Sequence, residues 1–202
     1  EDFGFYSYSE HYVLGDVFVL TSPDKEKGTL LELKGKGCRQ MESYLLAQHR
    51  SWYDFLMDAL VEGGVIKRLD LAINDMVGIL DMTEKCNHEE CISVFRSFKS
   101  YRSGELVKSR EHDRYGMGNT LYVGSLKSEV YFCIYEKDYE QYIKYEIPLE
   151  DTKIKNRFEI RLKNERAYYA VRDLLTYHDA ERTAFDIINR YMRFADKEVD
   201  KR

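Results

Sequence analysis

The stretch Val130-Tyr-Phe-Cys-Ile-Tyr-Glu-Lys137 reads as a β-strand with two unlike faces. Side chains alternate along a strand, so Val130, Phe132 and Ile134 point one way and Tyr131, Cys133, Tyr135 and Lys137 the other. Three other stretches split the same way. In residues 157–163, Phe158, Ile160 and Leu162 oppose Arg157, Glu159, Arg161 and Lys163. In residues 68–73, Leu69, Leu71 and Ile73 oppose Arg68, Asp70 and Ala72. In residues 29–34, Leu31 and Leu33 oppose Leu30, Glu32 and Lys34. Placed in one sheet, these strands would bury an apolar face and bring Glu32, Asp70 and Glu159 together beside Tyr135 and Lys137.

The rest of the chain fits that frame. Aromatic and β-branched residues fill positions 3–20. Residues 16–22 and 28–34 flank Pro23-Asp-Lys-Glu-Lys27, a hairpin signal. Residues 40–62 carry Leu45, Trp52, Leu56 and Ala59 at helical spacing and end at Gly63-Gly64, which predicts a helix. A strand is predicted over 65–73, a helix over 87–99 and a polar, basic loop over 100–118. Strands follow at 120–123 and 129–137, with closing helices at 165–177 and 180–195. Cys91, Val94, Phe95 and Phe98 repeat at i, i+3, i+4 and i+7, which puts Cys91 on the core face of the 87–99 helix. Strands joined by short turns, with helices between pairs, predict an α+β fold. Its centre is a largely antiparallel β-sheet of about five strands flanked by helices.

The 202 residues are expected to form a single domain, 1–202. At 44% hydrophobic and 33% charged the composition is globular, which excludes a disordered chain. No apolar run reaches 18 residues, so no membrane span is expected, and there is no signal-peptide pattern. The first residue is Glu1, as expected of a piece excised from a longer protein. The net charge of -5 hides a segregation: residues 153–172 hold seven bases against two acids, and residues 96–114 six against three. Such basic segments suit either a phosphate-binding surface or two solvated faces. Cys38, Cys86, Cys91 and Cys133 do not form a disulfide framework, which fits a reducing compartment. Cys86, His88 and Cys91 lack a regularly spaced fourth ligand for zinc.

Three carboxylates on one sheet face are the donor set of a hard cation, Mg²⁺ or Mn²⁺. The plainer alternative is a half-exposed sheet with its polar residues outward. A tyrosine among them has a specific use. Phosphodiester cleavage needs an in-line nucleophile and neutralisation of the non-bridging oxygens. A phenol with a pKa near 10 needs a nearby cation to become a phenolate. Its aryl phosphodiester keeps the bond energy, so a 3′-hydroxyl can reverse the step. Tyr135, with Lys137 two residues on, is the candidate nucleophile.

The segment Thr120-Leu-Tyr-Val-Gly-Ser-Leu-Lys-Ser-Glu-Val-Tyr-Phe-Cys-Ile-Tyr135-Glu-Lys137 resembles the central motif of the Rep_trans family. That family comprises rolling-circle plasmid replication initiators and MobT-type relaxases of integrative and conjugative elements. Lys67-Arg-Leu-Asp70-Leu-Ala-Ile-Asn-Asp resembles its Arg-Leu-Asp-Leu-Ala strand, and Asn156-Arg-Phe-Glu159-Ile-Arg-Leu-Lys its Arg-x-Glu-Ile-x-Leu strand. Leu31-Glu32-Leu-Lys-Gly-Lys-Gly-Cys-Arg-Gln-Met-Glu resembles the conjugative branch. The resemblance implies a sheet like that of the His-hydrophobic-His nickases without their His pair, and no His-x-His is present. It implies metal-dependent nicking and joining of single-stranded or supercoiled origin DNA in the bacterial cytoplasm, with accessory DNA-processing proteins as possible partners. Tyr135 would form a 5′-phosphotyrosyl link, with Glu32, Asp70 and Glu159 as the acidic positions. Arg68, Lys127, Arg157, Arg161 and Lys163 are the candidate DNA contacts. Family members often carry Arg where this chain has Cys133, so a phosphate contact is either lost here or taken over by Lys127, Arg157 or Arg161. The relaxase of a conjugative element is the leading reading, with a plasmid replication initiator of the same chemistry beside it. A non-catalytic single-strand binder, a hydrolytic two-metal nuclease and an inactive homologue are the rivals.

Overall fold

The computed structural model describes residues 5–76, 91–95, 105–107, 114–116 and 118–194. The chain divides into two compact units, residues 1–64 and 65–202, where the sequence suggested one domain over 1–202.

In the first unit β1 (Glu10–Leu14), β2 (Val17–Thr21) and β3 (Leu30–Leu33) form an antiparallel three-stranded sheet. The hairpin expected around Pro23 is β2–β3. Glu32 therefore belongs to this sheet, and the expectation that all the polar strands share one sheet fails for β3. Two helices follow, α1 (Lys36–Ala47) and α2 (Trp52–Val61), in place of the single helix expected over 40–62. The break has a local cause. His49 takes a left-handed conformation, and Ser51 forms a capping box with Asp54 that starts a new helix. These local bonds override a hydrophobic period that runs through the junction. Gln40 on α1 donates to Leu14 O and accepts from Asp16 N–H, so it satisfies the β1–β2 turn. Gly37 lets the helix approach that turn, because a Cβ there would lie 2.2 Å from Asp16 O.

The second unit is built on a four-stranded antiparallel sheet in the order β4 (Arg68–Asp75), β10 (Asn156–Lys163), β9 (Val130–Glu136) and β8 (Thr120–Val123). Its apolar face, with Phe158, Ile160, Leu162, Phe132, Ile134, Leu121 and Val123, is the core. Ala167 and Ala170 of α4 (Asn164–Tyr177) and Ala184 and Ile188 of α5 (Ala180–Tyr191) complete it. The small alanines let both helices lie close to the sheet. Phe132, fully buried between the rings of Phe95, Phe158 and Tyr191, contributes about 1.5–3 kcal/mol by burial alone.

Three expectations need correction here. The described part of the 87–99 segment is a strand, β5 (Cys91–Ser93), paired with β11 (Met192–Phe194). Edge pairing thus outweighs the helical spacing of Cys91, Val94 and Phe95, and it also ends the last helix at Tyr191 rather than 195. Cys86, His88 and Phe98 lie outside the described residues. The 100–118 loop contains a short hairpin, β6 (Glu105–Val107) with β7 (Arg114–Gly116). The 129–137 strand stops at Glu136, and Lys137 instead opens a helix, α3 (Lys137–Tyr145), with acids in its first turn and Lys144 in its last, complementing its dipole. No helix among the described residues is long and apolar enough to cross a membrane.

Replacing Gly37 with Ala forces a methyl group against a backbone carbonyl. We expect a loss of about 1–3 kcal/mol in unfolding free energy, read by urea denaturation. An unchanged unfolding curve would contradict the close approach of α1 to the β1–β2 turn.

Candidate active site on the polar sheet face

The face of the four-stranded sheet opposite the helices carries the predicted chemistry of the second unit. Register places the residues. Tyr135 pairs with Arg157, Cys133 with Glu159 and Tyr131 with Arg161 across β9–β10. Arg161 pairs with Asp70, Glu159 with Ala72 and Arg157 with Asn74 across β10–β4. Long side chains reach diagonal neighbours on such a face. The Tyr135 hydroxyl accordingly donates to Glu159 Oε1 at 2.8 Å. The other oxygen, Oε2, accepts from Arg161 Nη2 at 2.7 Å. Arg161 Nε lies 3.9 Å from Asp70 Oδ2, and Asp70 also accepts both arms of the Arg68 fork at 2.7 Å. Arg68, Asp70, Arg161, Glu159 and Tyr135 thus form one continuous polar chain across three strands.

This is not an ordinary solvated sheet face. Tyr131 and Cys133 lie on it and yet are only 5% and 3% exposed. The arginine and lysine side chains cover it. Arg161 and Lys163 sit 5.6 and 5.2 Å from the centroid of the Tyr131 ring, and Arg161 Nη1 donates to the Tyr131 hydroxyl. Small residues on both flanks of Glu159, Ala72 and Cys133, leave space for the folded-back guanidinium.

The electrostatics follow. Burial pushes the Tyr135 phenol well above its ordinary pKa, and the negative charge of Glu159 and its hydrogen bond push further the same way. The resting phenol is protonated. Burial opposes the charge of Arg161, but its bonds to Tyr131 and Glu159 and the surrounding negative groups more than offset this, so the guanidinium is held charged. Burial also pushes the Cys133 thiol up to about 11, which makes it inert packing rather than a second nucleophile.

The remaining candidates divide. Lys137, on α3 rather than on the strand, places Nζ 5.5 Å from the Tyr135 ring centroid and is ion-paired with Glu140, which also holds Lys144. Arg157 donates to Asn74 Oδ1 at 2.8 Å. Lys163 Nζ donates to Leu126 O at 2.7 Å, and Lys127 is exposed in the β8–β9 turn. Glu32, in the first unit, accepts from the Tyr6 hydroxyl and pairs with Lys34. Asn74 and Glu140 escaped the sequence reading. Asn74 shares the Asp70 alternation and needed only one more strand residue to be seen; Glu140 follows Lys137 at helical i+3 spacing.

Among the described residues no group of three or more His, Cys, Asp or Glu side chains is arranged to hold a metal ion. Asp70 and Glu159 nevertheless suit a hard cation. They are two oxygen donors on adjacent strands that already share one positive charge, and Mg²⁺ is commonly held by one or two carboxylates plus substrate phosphate. Two such carboxylates are a donor set that a divalent ion would fit, with Asp70 and Glu159 as the side chains that would hold it.

Comparison with known proteins places the chain in a family. Residues 64–202 match the family model described as "Replication initiation factor" (Rep_trans). Residues 1–58 match "Rolling Circle replication initiation protein N-terminal domain". The chain is 46% identical over 197 residues to "Putative DNA relaxase NicK" of Bacillus subtilis (strain 168). That match covers 96% of this chain and 54% of the relative, so the chain spans about half of that protein's length. The solved structure of a rolling circle replication initiator protein from Geobacillus stearothermophilus superposes with a TM-score of 0.73 at 24% identity, over 98% of this chain and 74% of that one. It establishes the shared fold.

Glu159→Gln removes the charge that opposes ionisation of Tyr135 while leaving its burial intact. The phenol should then ionise at lower pH than in the wild type, followed by NMR of ring-labelled tyrosine. Ionisation at the same or a higher pH would contradict the coupling of the two groups.

Proposed function

Because the chain belongs to the Rep_trans replication initiation factor family, we propose that it is the catalytic part of a metal-dependent DNA relaxase. Its substrate would be single-stranded or supercoiled origin DNA of a conjugative element. It would nick and rejoin one strand through Tyr135. The observation that carries this reading is the hydrogen bond from the Tyr135 phenol to Glu159 on a face lined with arginine and lysine.

Glu159 divides its work between its two oxygens. Oε1 accepts the phenol proton as the tyrosine oxygen attacks the scissile phosphorus. The new bond is aryl O–P; the bond that breaks is P–O3′, and the departing 3′ oxygen takes up a proton. The 5′-phosphotyrosyl link is retained for the reverse attack by a 3′-hydroxyl. A divalent cation held by Asp70 and Glu159 would supply neutralisation of the non-bridging phosphate oxygens and stabilise the phenolate. The raised pKa of the half-buried phenol keeps it protonated until substrate arrives. Lys137 beside the ring adds positive charge next to the developing phenolate, tempered by Glu140. Arg157, Lys163, Arg68 and Lys127 offer phosphate contacts along the strand, with Arg157 aimed by Asn74. Among the described residues Cys38, Cys91 and Cys133 form no disulfide, which fits the reducing bacterial cytoplasm, where this DNA would reside.

The test uses the full-length protein, Mn²⁺ and single-stranded oligonucleotides that tile the DNA flanking its coding sequence, resolved on a denaturing gel. We expect a covalent protein–DNA species that is lost in Tyr135→Phe. Nicked DNA without an adduct would replace the tyrosine mechanism with a hydrolytic one. Binding without cleavage would make the chain a single-strand binder.

A further inference from the structure

Arg161 is placed where a cation would be. Its guanidinium sits between the only two acidic side chains on the described polar face of β4 and β10, 2.7 Å from Glu159 Oε2 and 3.9 Å from Asp70 Oδ2. The oxygen it holds on Glu159 is the one not used by Tyr135. It also donates to the Tyr131 hydroxyl, which anchors the folded-back conformation. An arginine fork also matches a phosphodiester at least as well as a carboxylate.

We propose that Arg161 is the resting occupant of the cation site, exchanged onto a DNA phosphate when the strand binds, so that DNA and the divalent cation bind cooperatively. The inference rests on the reading of Asp70 and Glu159 as cation ligands. Without DNA, the guanidinium neutralises both carboxylates and competes with a metal ion for the same oxygens. A phosphate arriving on this face gives Arg161 a second anionic partner. Its departure leaves two uncompensated carboxylates beside a new phosphate oxygen, a donor set that a divalent ion completes. Thermodynamic linkage then requires each ligand to favour the other by the same factor. The arrangement confines an activated phenol to moments when a strand is in place. It also assigns the chemical role left open by Cys133, since a guanidinium reaches the phosphate from the neighbouring strand.

The experiment measures Mn²⁺ affinity by electron paramagnetic resonance of the free ion. It uses the full-length protein carrying Tyr135→Phe, so that no strand is cut, with and without saturating oligothymidylate. The parent should bind Mn²⁺ ~tenfold or more tightly when the oligonucleotide is present. With Arg161→Met added, Mn²⁺ should bind without DNA at least about threefold more tightly than it binds the DNA-free parent, and DNA should add less than it does in the parent. Arg161→Gln serves the same comparison if the Met variant melts early. An Arg161 variant whose DNA-free Mn²⁺ affinity is unchanged or weaker would overturn the proposal, as would a parent with no coupling. Coupling in a protein whose Tyr135 form yields no adduct would uphold the exchange and sink the tyrosine reading. An adduct without coupling would do the reverse.

Discussion

The hydrogen bond that Tyr135 gives Glu159 holds the site together, and it exists only because β9 and β10 pair in one register. A slip of one residue would turn Tyr135 into the core and send Ile134 to the polar face. The opposite side of the same strands prevents that slip. Phe132 and Ile134 on β9 and Phe158 and Ile160 on β10 are all buried in the second unit's core. The apolar half of the alternation therefore positions the chemical half.

Charge is arranged around that bond in an alternating line. Arg68, Asp70, Arg161 and Glu159 present plus, minus, plus, minus, and the line ends at a neutral phenol. Such a line is stable without substrate, because every charge has a partner. It is also poised, because a divalent ion could take the place of Arg161 between the two carboxylates while the guanidinium pairs with a phosphate. Partial burial matters here: Glu159 and Arg161 expose about a fifth and a quarter of their side chains, so their mutual attraction is screened less than that of a surface pair.

Much of this was legible in the sequence because β-alternation is a simple code. Residues 68–73, 130–136 and 157–163 showed which side chains share a face, and the α+β fold with its antiparallel sheet followed from their order. Sheet membership is another matter. Nothing in Leu31-Glu32-Leu33 says which strands lie beside it, so its assignment to a separate sheet needed coordinates. Local backbone signals were also misjudged. The left-handed His49 and the Ser51 capping box split a helix whose apolar period looked continuous. At Cys91-Ile-Ser93 a helical spacing was overruled by pairing with Met192–Phe194, a contact about a hundred residues away in the chain. The role of Arg161 was invisible for a different reason: alternation gives a side chain's face but not how far it folds back along its strand.

The central claim is that one phenol among several on this chain becomes the phosphate carrier. Tyr131 shares its face but is buried with its hydroxyl engaged by Arg161, and Tyr139 lies on α3 against Gly118. Nuclease trimming of the covalent protein–DNA product, followed by proteolysis and tandem mass spectrometry, reads the attachment point directly. The account predicts a nucleotide phosphate on Tyr135. Its recovery on Tyr131, Tyr139 or any other residue would contradict it.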